Sequence, residues 1–411
     1  MATHSAPQTA TGAPNYTIPF LIVAVLFGIF GFLTSLNNQL VAKLEETFKL
    51  THGPAMLATA AWFLAYLVFS VPSGKLIELV GYKRTMVISL FVMMAGALAF
   101  IPAANMVSFP LTLGAIFLLA TGVCALQTSA NPYVSILGPE HSSAARLNLA
   151  QAFNSGASAL APWVAATLIL SNAGKAESAA AESHMLVGPY LAIAAALLVL
   201  GFVVMGLHLP AITATRDFRP TDAAAGGRNI WSYPHVVLGM LGIFFYVGVE
   251  IALAAIGIRF AQQQGIGSVE TAGLMVTIYY LLIMAGRFVG SALMTRIKAQ
   301  KLLVVLGILG VVLMLAGMMT SGVAAVACLV LCGLANSIMY PTIFALGIAE
   351  LGPLTSKGSG VITIGNVGGA AIPPLFGLLA DKMGIQHAFV LPIICYIFIA
   401  YYGLSGYKVR Q

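Results

Sequence analysis

The chain has 411 residues, 60% of them hydrophobic and only 8% charged, with a formal net charge of +7. A soluble domain carries roughly 25% charged residues, so a mostly water-facing surface is excluded and lipid is the solvent for much of this chain. The basic residues are spread singly over polar breaks, with no basic patch interleaved with aromatics, which argues against nucleic acid as a partner.

Taken in chain order, residues 1–16 are polar and small and lack the basic start of a secretory signal. They read as a disordered cytoplasmic tail. A hydrocarbon core about 30 Å thick takes roughly 20 apolar residues per helix. Such runs fall at 17–41, 54–79, 84–104, 108–138, 144–171 and 187–211, then at 233–261, 268–296, 301–320, 323–349, 356–384 and 386–405. They predict an all-α membrane protein of twelve transmembrane helices, with one six-helix bundle over 17–211 and a second over 233–405. The linker is assigned to 212–232 around the polar stretch TATRDFRPTDAAAGGRN, and 406–411 is a short tail. Of nineteen Lys and Arg, thirteen fall on the side of the N-terminus and five on the other, with Arg287 inside a span. The positive-inside rule therefore places both termini in the cytoplasm of a multi-pass protein.

The halves resemble each other. Asn154, Gly156 and Pro162 recur as Asn366, Gly368 and Pro374, and Gln127, Pro132 and Gly138 recur as Asn336, Pro341 and Gly347. Parallel half-repeats of this kind are a common plan for secondary transporters, which hold substrate between the halves near the midplane.

Residues 126–156, LQTSANPYVSILGPEHSSAARLNLAQAFNSG, keep Gln127, Asn131, Asn148, Gln151 and Asn154 among apolar spans. An amide in hydrocarbon must find hydrogen-bond partners or cost several kcal/mol. Each amide alone suits either helix-to-helix bonding or a ligand. Their clustering favours a ligand: Gln151 and Asn154 share a helical face, and Asn37, Asn38, Asn336 and Asn366 add further groups. Because an amide both donates and accepts, such a cavity fits a neutral polyhydroxylated molecule. Phe30, Tyr246, Tyr340 and Phe344 are either packing residues or faces for a sugar ring. The cysteines, Cys124, Cys328, Cys332 and Cys395, lie in apolar segments and read as core; neither they nor the histidines have metal-ligand spacing.

The pieces ANPYVSILGPE (130–140), RLNLAQAFNSG (146–156), FYVGVEIALAAIGIRF (245–260), GRFVG (286–290) and SIMYPTIFALGI (337–348), with the loop PSGKLIELVGYKR (72–84), resemble the fucose permease and glucose/galactose transporter branch of the major facilitator superfamily. The resemblance runs over about 17–405. It implies a hexose or deoxyhexose permease of the inner membrane working by alternating access, with Gln151, Asn154 and Tyr340 at positions expected to contact sugar. It also implies an aspartate where this chain has Asn38 and a glutamate where it has Gln127. Neither amide can release a proton, so the usual proton site is absent.

One acid lies deep in a span, Glu250, in the sequence YVGVEIA. An intramembrane carboxyl is expensive and is read by default as functional. The branch includes members with an acid in this context and sodium-dependent uptake, so the expected role is sodium coupling, with Na⁺ as a co-transported ion and no other cofactor. A sugar-binding acid and a structural acid are the other readings. Arg287, separated from Glu250 by about 12 Å along the helix axes at 1.5 Å per residue, is a poor partner for a direct bridge. GRFVG reads as a tight helix contact with an arginine at the cytoplasmic gate, where Glu78 and Arg84 are candidate gate charges. An uncoupled uniporter is the alternative function, and a proton-driven drug exporter is disfavoured by the neutral amides. No catalytic motif suggests an enzyme. The expected partners are a monosaccharide and the bilayer, with the carrier a monomer.

Overall fold

The computed structural model describes residues 16–47, 52–164, 187–207, 229–266 and 269–409. The side chains of 37–47, 52–56 and 269–272 lie outside that description, as does most of the 212–232 linker. The described chain is all helical. The first half contains α1 (Thr17–Thr47), α2 (His52–Val80), α3 (Tyr82–Asn105), α4 (Phe109–Ile136), α5 (Ser143–Val164) and α6 (Val187–Gly206). The second contains α7 (Pro234–Gln263), α8 (Val269–Leu293), α9 (Ala299–Met319), and then three crossings built from shorter pieces. These are α10 (Gly322–Asn336) with α11 (Met339–Gly347), α12 (Thr355–Ile364) with α13 (Gly368–Met383), and α14 (Ile385–Ala388) with α15 (Val390–Tyr401), which ends in a π turn over Tyr402–Gly406.

Among the described residues, eleven helical segments are long and apolar enough to cross a membrane. The crossing outside that set is α5, whose 22 residues have ample length but carry Asn148, Gln151, Asn154 and Ser155. Elsewhere the spans keep one flank apolar toward lipid: Val199, Val305 and Leu378 are each about 60% exposed yet fully hydrophobic, which suits a solvent of acyl chains.

Each half packs as its own bundle, and the same pairing recurs in both. In the first, α1 lies along α5, and in the second α7 lies along α13. Small residues permit both approaches. A Cβ on Gly31 would meet Asn154 Nδ2 at 2.5 Å, and one on Gly368 would meet the Phe244 carbonyl oxygen of α7 at 1.8 Å. The bundles meet along α2 with α12, α5 with α8 and α11, and α4 with α12.

Every described hydrogen bond or ion pair between the bundles falls at the membrane midplane or on the side of the chain termini. At that end Tyr82 Oη lies 3.5 Å from Ser356 Oγ, and Lys357 pairs with Glu78 at 3.6 Å. Deeper in, Ser359 Oγ donates to the Thr128 carbonyl at 2.6 Å and Ser291 Oγ to the Ala145 carbonyl at 2.8 Å. Asn148 Nδ2 reaches Thr342 Oγ1 at 3.2 Å. The bundles are thus sealed on the termini side. Arg146 braces the same end by donating to the Val134, Ser135 and Pro139 carbonyls, the first two among the last carbonyls of α4, where a cation also offsets the negative end of the helix dipole.

Candidate functional site

Near the midplane, two helix interruptions in the second half expose polar side chains to the first. The tenth crossing breaks between α10 and α11 at Ser337–Ile338, and Tyr340 follows directly. The eleventh passes through a 3₁₀ turn, Gly365–Val367, that carries Asn366, whose Nδ2 donates to the Thr363 carbonyl at 2.8 Å. Such breaks are tolerated within a membrane only where protein or a cavity satisfies the freed backbone. Here Arg287 does part of that work: its Nε donates to the Ser337 carbonyl at 3.0 Å. The glycines that flank it in GRFVG allow the contact. A Cβ on Gly286 would meet Ser337 Oγ at 2.5 Å, and one on Gly290 would meet Ile338 Cγ2 at 2.3 Å.

From the first half, α5 and α4 contribute amides. Gln151 Nε2 donates to Asn131 Oδ1 at 3.3 Å, both side chains being buried. Asn154 Nδ2 donates to the Phe27 carbonyl of α1 at 3.0 Å. Arg287 crosses to this set: Nη1 donates to the Gln151 carbonyl at 3.3 Å and to Ser155 Oγ. A buried arginine at the bilayer centre costs about 2.5–3.5 kcal/mol on insertion scales. Three charge-assisted hydrogen bonds at about 1.5–3 kcal/mol each offset it. Two of them bind the opposite bundle.

Several buried polar atoms in this region have no hydrogen-bond partner: Asn131 Nδ2, Tyr340 Oη and Tyr246 Oη. The Tyr340 hydroxyl faces the Asn366 and Asn131 side chains without reaching hydrogen-bond geometry. The rings of Tyr246 and Tyr340 sit 6.1 Å apart, and Tyr340 stacks with Phe344 at 6.3 Å. Buried polar groups are nearly always satisfied in folded proteins, so the unpartnered Asn131 Nδ2 and Tyr340 Oη are candidates for bonding to a polar ligand.

Glu250 is half-buried near the middle of α7. Its backbone carbonyl accepts from Tyr279 Oη at 3.3 Å, and its carboxyl has Tyr246, Tyr279 and Tyr280 around it. Among the described residues no ion pair joins it to Arg287. Instead Tyr246, one helical turn before Glu250, has both groups within electrostatic reach of its hydroxyl.

The remaining sequence candidates divide. Gln127 Oε1 accepts from Tyr66 Oη at 3.2 Å and lines a small void with Phe27 and Phe30. Asn336 is not brought to the cluster. It is fully buried, its Nδ2 donating to Tyr279 Oη at 2.7 Å and its Oδ1 accepting from Tyr396 Oη at 2.9 Å, so both ends of the amide tie the second bundle together. Glu78 stands at the sealed end with Lys357 as its partner, and Arg84 is exposed at the start of α3. The side chains of Asn37 and Asn38 lie outside the described residues. Tyr246, read in sequence only as an aromatic face, is the group that reasoning from residues undervalued; the signal present was its spacing of four from the one deep acid.

Two helical bundles joined on one side, with buried unpartnered polar groups between them near the midplane, have the architecture of a membrane carrier. Comparison with known proteins gives the family. The Major Facilitator Superfamily model matches residues 20–372, and the chain belongs to that superfamily; it is a multi-pass membrane transporter and not an enzyme. It is 40% identical over 396 residues to the glucose/galactose transporter of Brucella abortus (strain 2308), spanning 96% of this chain and 95% of that protein. It is 32% identical over 408 residues to the L-fucose-proton symporter of Escherichia coli (strain K12), spanning 94% and 92%. In structure it resembles the E. coli fucose:proton symporter FucP, with a TM-score of 0.85 at 30% identity over 96% of this chain and 99% of that one. A second FucP structure, described as being in the outward conformation, gives the same TM-score over 95% and 99%.

Proposed function

We propose that the chain transports a neutral monosaccharide of the hexose or deoxyhexose class, coupled to a cation, with sodium the expected ion, at Glu250. The observation that carries this reading is the convergence of Asn131 Nδ2 and Tyr340 Oη, buried and unpartnered, beside Gln151, Asn154 and Asn366. Neutral groups that can each donate or accept suit a ring of hydroxyls, and the flanking aromatic faces suit the apolar side of a sugar. The names of the relatives, glucose/galactose transporter and L-fucose-proton symporter, support the same class of substrate.

Coupling through Glu250 is supported by elimination and by place. The positions where the resemblance leads one to expect acids hold Asn38 and Gln127, and Glu250 is the acid left deep in a span, beside the hydroxyl cluster. The side sealed in the structure is proposed to be the cytoplasmic one, so the sugar cluster faces outward. Uniport is the second reading, favoured by the loss of both expected acids.

The test is radiolabelled glucose uptake into proteoliposomes with a sodium gradient, a proton gradient or none, for the native chain and for Glu250→Gln. The expected result is accumulation driven by sodium and abolished by Glu250→Gln. Equilibration without accumulation under every gradient makes the protein a uniporter, and accumulation that survives Glu250→Gln removes that residue from coupling.

A further inference from the structure

Tyr246 is about 1% exposed, and its hydroxyl faces the Glu250 and Arg287 side chains without reaching hydrogen-bond geometry with either. It lies four residues before Glu250 on α7, a spacing that stacks the two side chains on one helical face. Arg287 approaches the same hydroxyl from α8 while holding Gln151 and Ser155 of the opposite bundle. The acid and the arginine form no ion pair with each other. The Tyr246 oxygen is within reach of both.

We propose that Tyr246 is a positioning residue that relays the occupancy of Glu250 to the Arg287 contacts holding the two bundles together. The proposal rests on the reading of Glu250 as the cation-coupling acid. A tyrosine hydroxyl has one hydrogen to give and lone pairs to accept with. When the carboxylate is free of a cation it draws that hydrogen, which turns the oxygen lone pairs toward Arg287. The guanidinium then has an alternative to the Gln151 carbonyl and Ser155 Oγ, and the bundles can part. A cation on Glu250 removes the pull on the hydroxyl and leaves Arg287 on the seam. Sugar acts from the other side: bonding to the Gln151 and Asn131 amides shifts the turn of helix α5 to which Arg287 is bonded. The empty carrier and the doubly loaded carrier can therefore reorient, whereas the carrier loaded with the ion alone stays sealed. This is the condition a symporter needs to avoid leaking its ion, and it follows from a population shift by differential contacts.

The experiment compares the native chain with Tyr246→Phe in proteoliposomes. Two readouts are taken: sodium-driven accumulation of radiolabelled glucose, and glucose counterflow, which needs sugar binding and reorientation but no net coupling. The relay predicts that Tyr246→Phe keeps counterflow within about twofold of native while its accumulation ratio falls to unity. A residue that only packs would lower both together or neither. Accumulation preserved in Tyr246→Phe overturns the relay and leaves the role of Glu250 standing. A native chain that does not accumulate glucose under a sodium gradient overturns the reading of Glu250, and the relay falls with it. If Tyr246→Phe fails to fold, a second measurement decides in the chain that retains Tyr246. Spin labels at His141→Cys and Lys298→Cys, both exposed on the sealed side, report the distance across the seam. Sodium without sugar must raise the closed population, and a distance distribution indifferent to sodium overturns the proposal.

Discussion

Tyr340 and Asn336 are both buried beside the break in the tenth crossing, and their hydrogen bonding separates what each contributes. The Tyr340 hydroxyl has no protein partner. Removing it should leave stability unchanged or slightly raised, since a buried unsatisfied hydroxyl carries a desolvation cost. Tyr340→Phe should nevertheless weaken sugar binding about tenfold, equivalent to about 1.4 kcal/mol, measurable by equilibrium binding in detergent. Asn336→Ala predicts the reverse. It strips the acceptor from Tyr396 Oη and one donor from Tyr279 Oη, which keeps its bond to the Glu250 carbonyl. An orphaned buried hydroxyl costs about 1–3 kcal/mol, so the melting temperature should fall while the affinity of whatever folds is retained. Sequence alone placed Asn336 with the other amides as a candidate ligand group. What set Asn336 apart was two tyrosines from α8 and α15, contacts between distant segments that no local pattern encodes. By contrast Gln151 and Asn154 were legible, since their spacing on one helical face survives folding unchanged.

At the scale of helices, the glycine approaches set how closely α7 can lie against α13. Gly368 presents its backbone to the Phe244 carbonyl so closely that a Cβ would sit 1.8 Å from the oxygen, and a carbonyl cannot swing aside as a flexible side chain does. Gly368→Ala should therefore displace the eleventh crossing, costing about 1–3 kcal/mol or more as overpacking does, and should lower both folded yield and apparent melting temperature. Gly377→Ala on the same helix is the control, because a Cβ there meets nothing within 4 Å; it should be neutral. The number and order of the crossings were readable from apolar runs. The breaks at Ser337–Ile338 and Gly365–Val367 were not readable. Turn formers mark both, Asn336, Ser337 and Pro341 at the first and Gly365, Asn366 and Gly368 at the second. Prolines such as Pro132 and Pro162 lie inside unbroken helices elsewhere, however, so the contacts from Arg287 and α7 decide where the backbone is interrupted.

For the whole molecule, the bonds across the seam differ in how much they hold. The Lys357–Glu78 pair is half-exposed on one side and 29% exposed on the other; such pairs contribute about 0–1 kcal/mol and are screened by salt. Glu78→Gln should thus change the balance between the two facing states less than about fivefold, with the effect vanishing in high salt. The interior bonds are shielded from water and are the stronger constraint: Ser291 to the Ala145 carbonyl, Asn148 to Thr342, and Arg287 to Gln151 and Ser155. Since α5 and α8 must separate for the sealed side to open, tethering them should arrest the cycle with the sugar site still accessible from the other side. Ala145→Cys with Ser291→Cys, bridged by a short reducible bis-thiol reagent, supplies the tether. The native cysteines are buried apart from the partly exposed Cys328, which can be replaced by serine for the experiment. Bridging should abolish uptake while preserving sugar binding from the open side, and reduction should restore uptake. Transport that continues with the bridge in place would mean that α5 and α8 do not part during the cycle, and the seam described here would not be the gate.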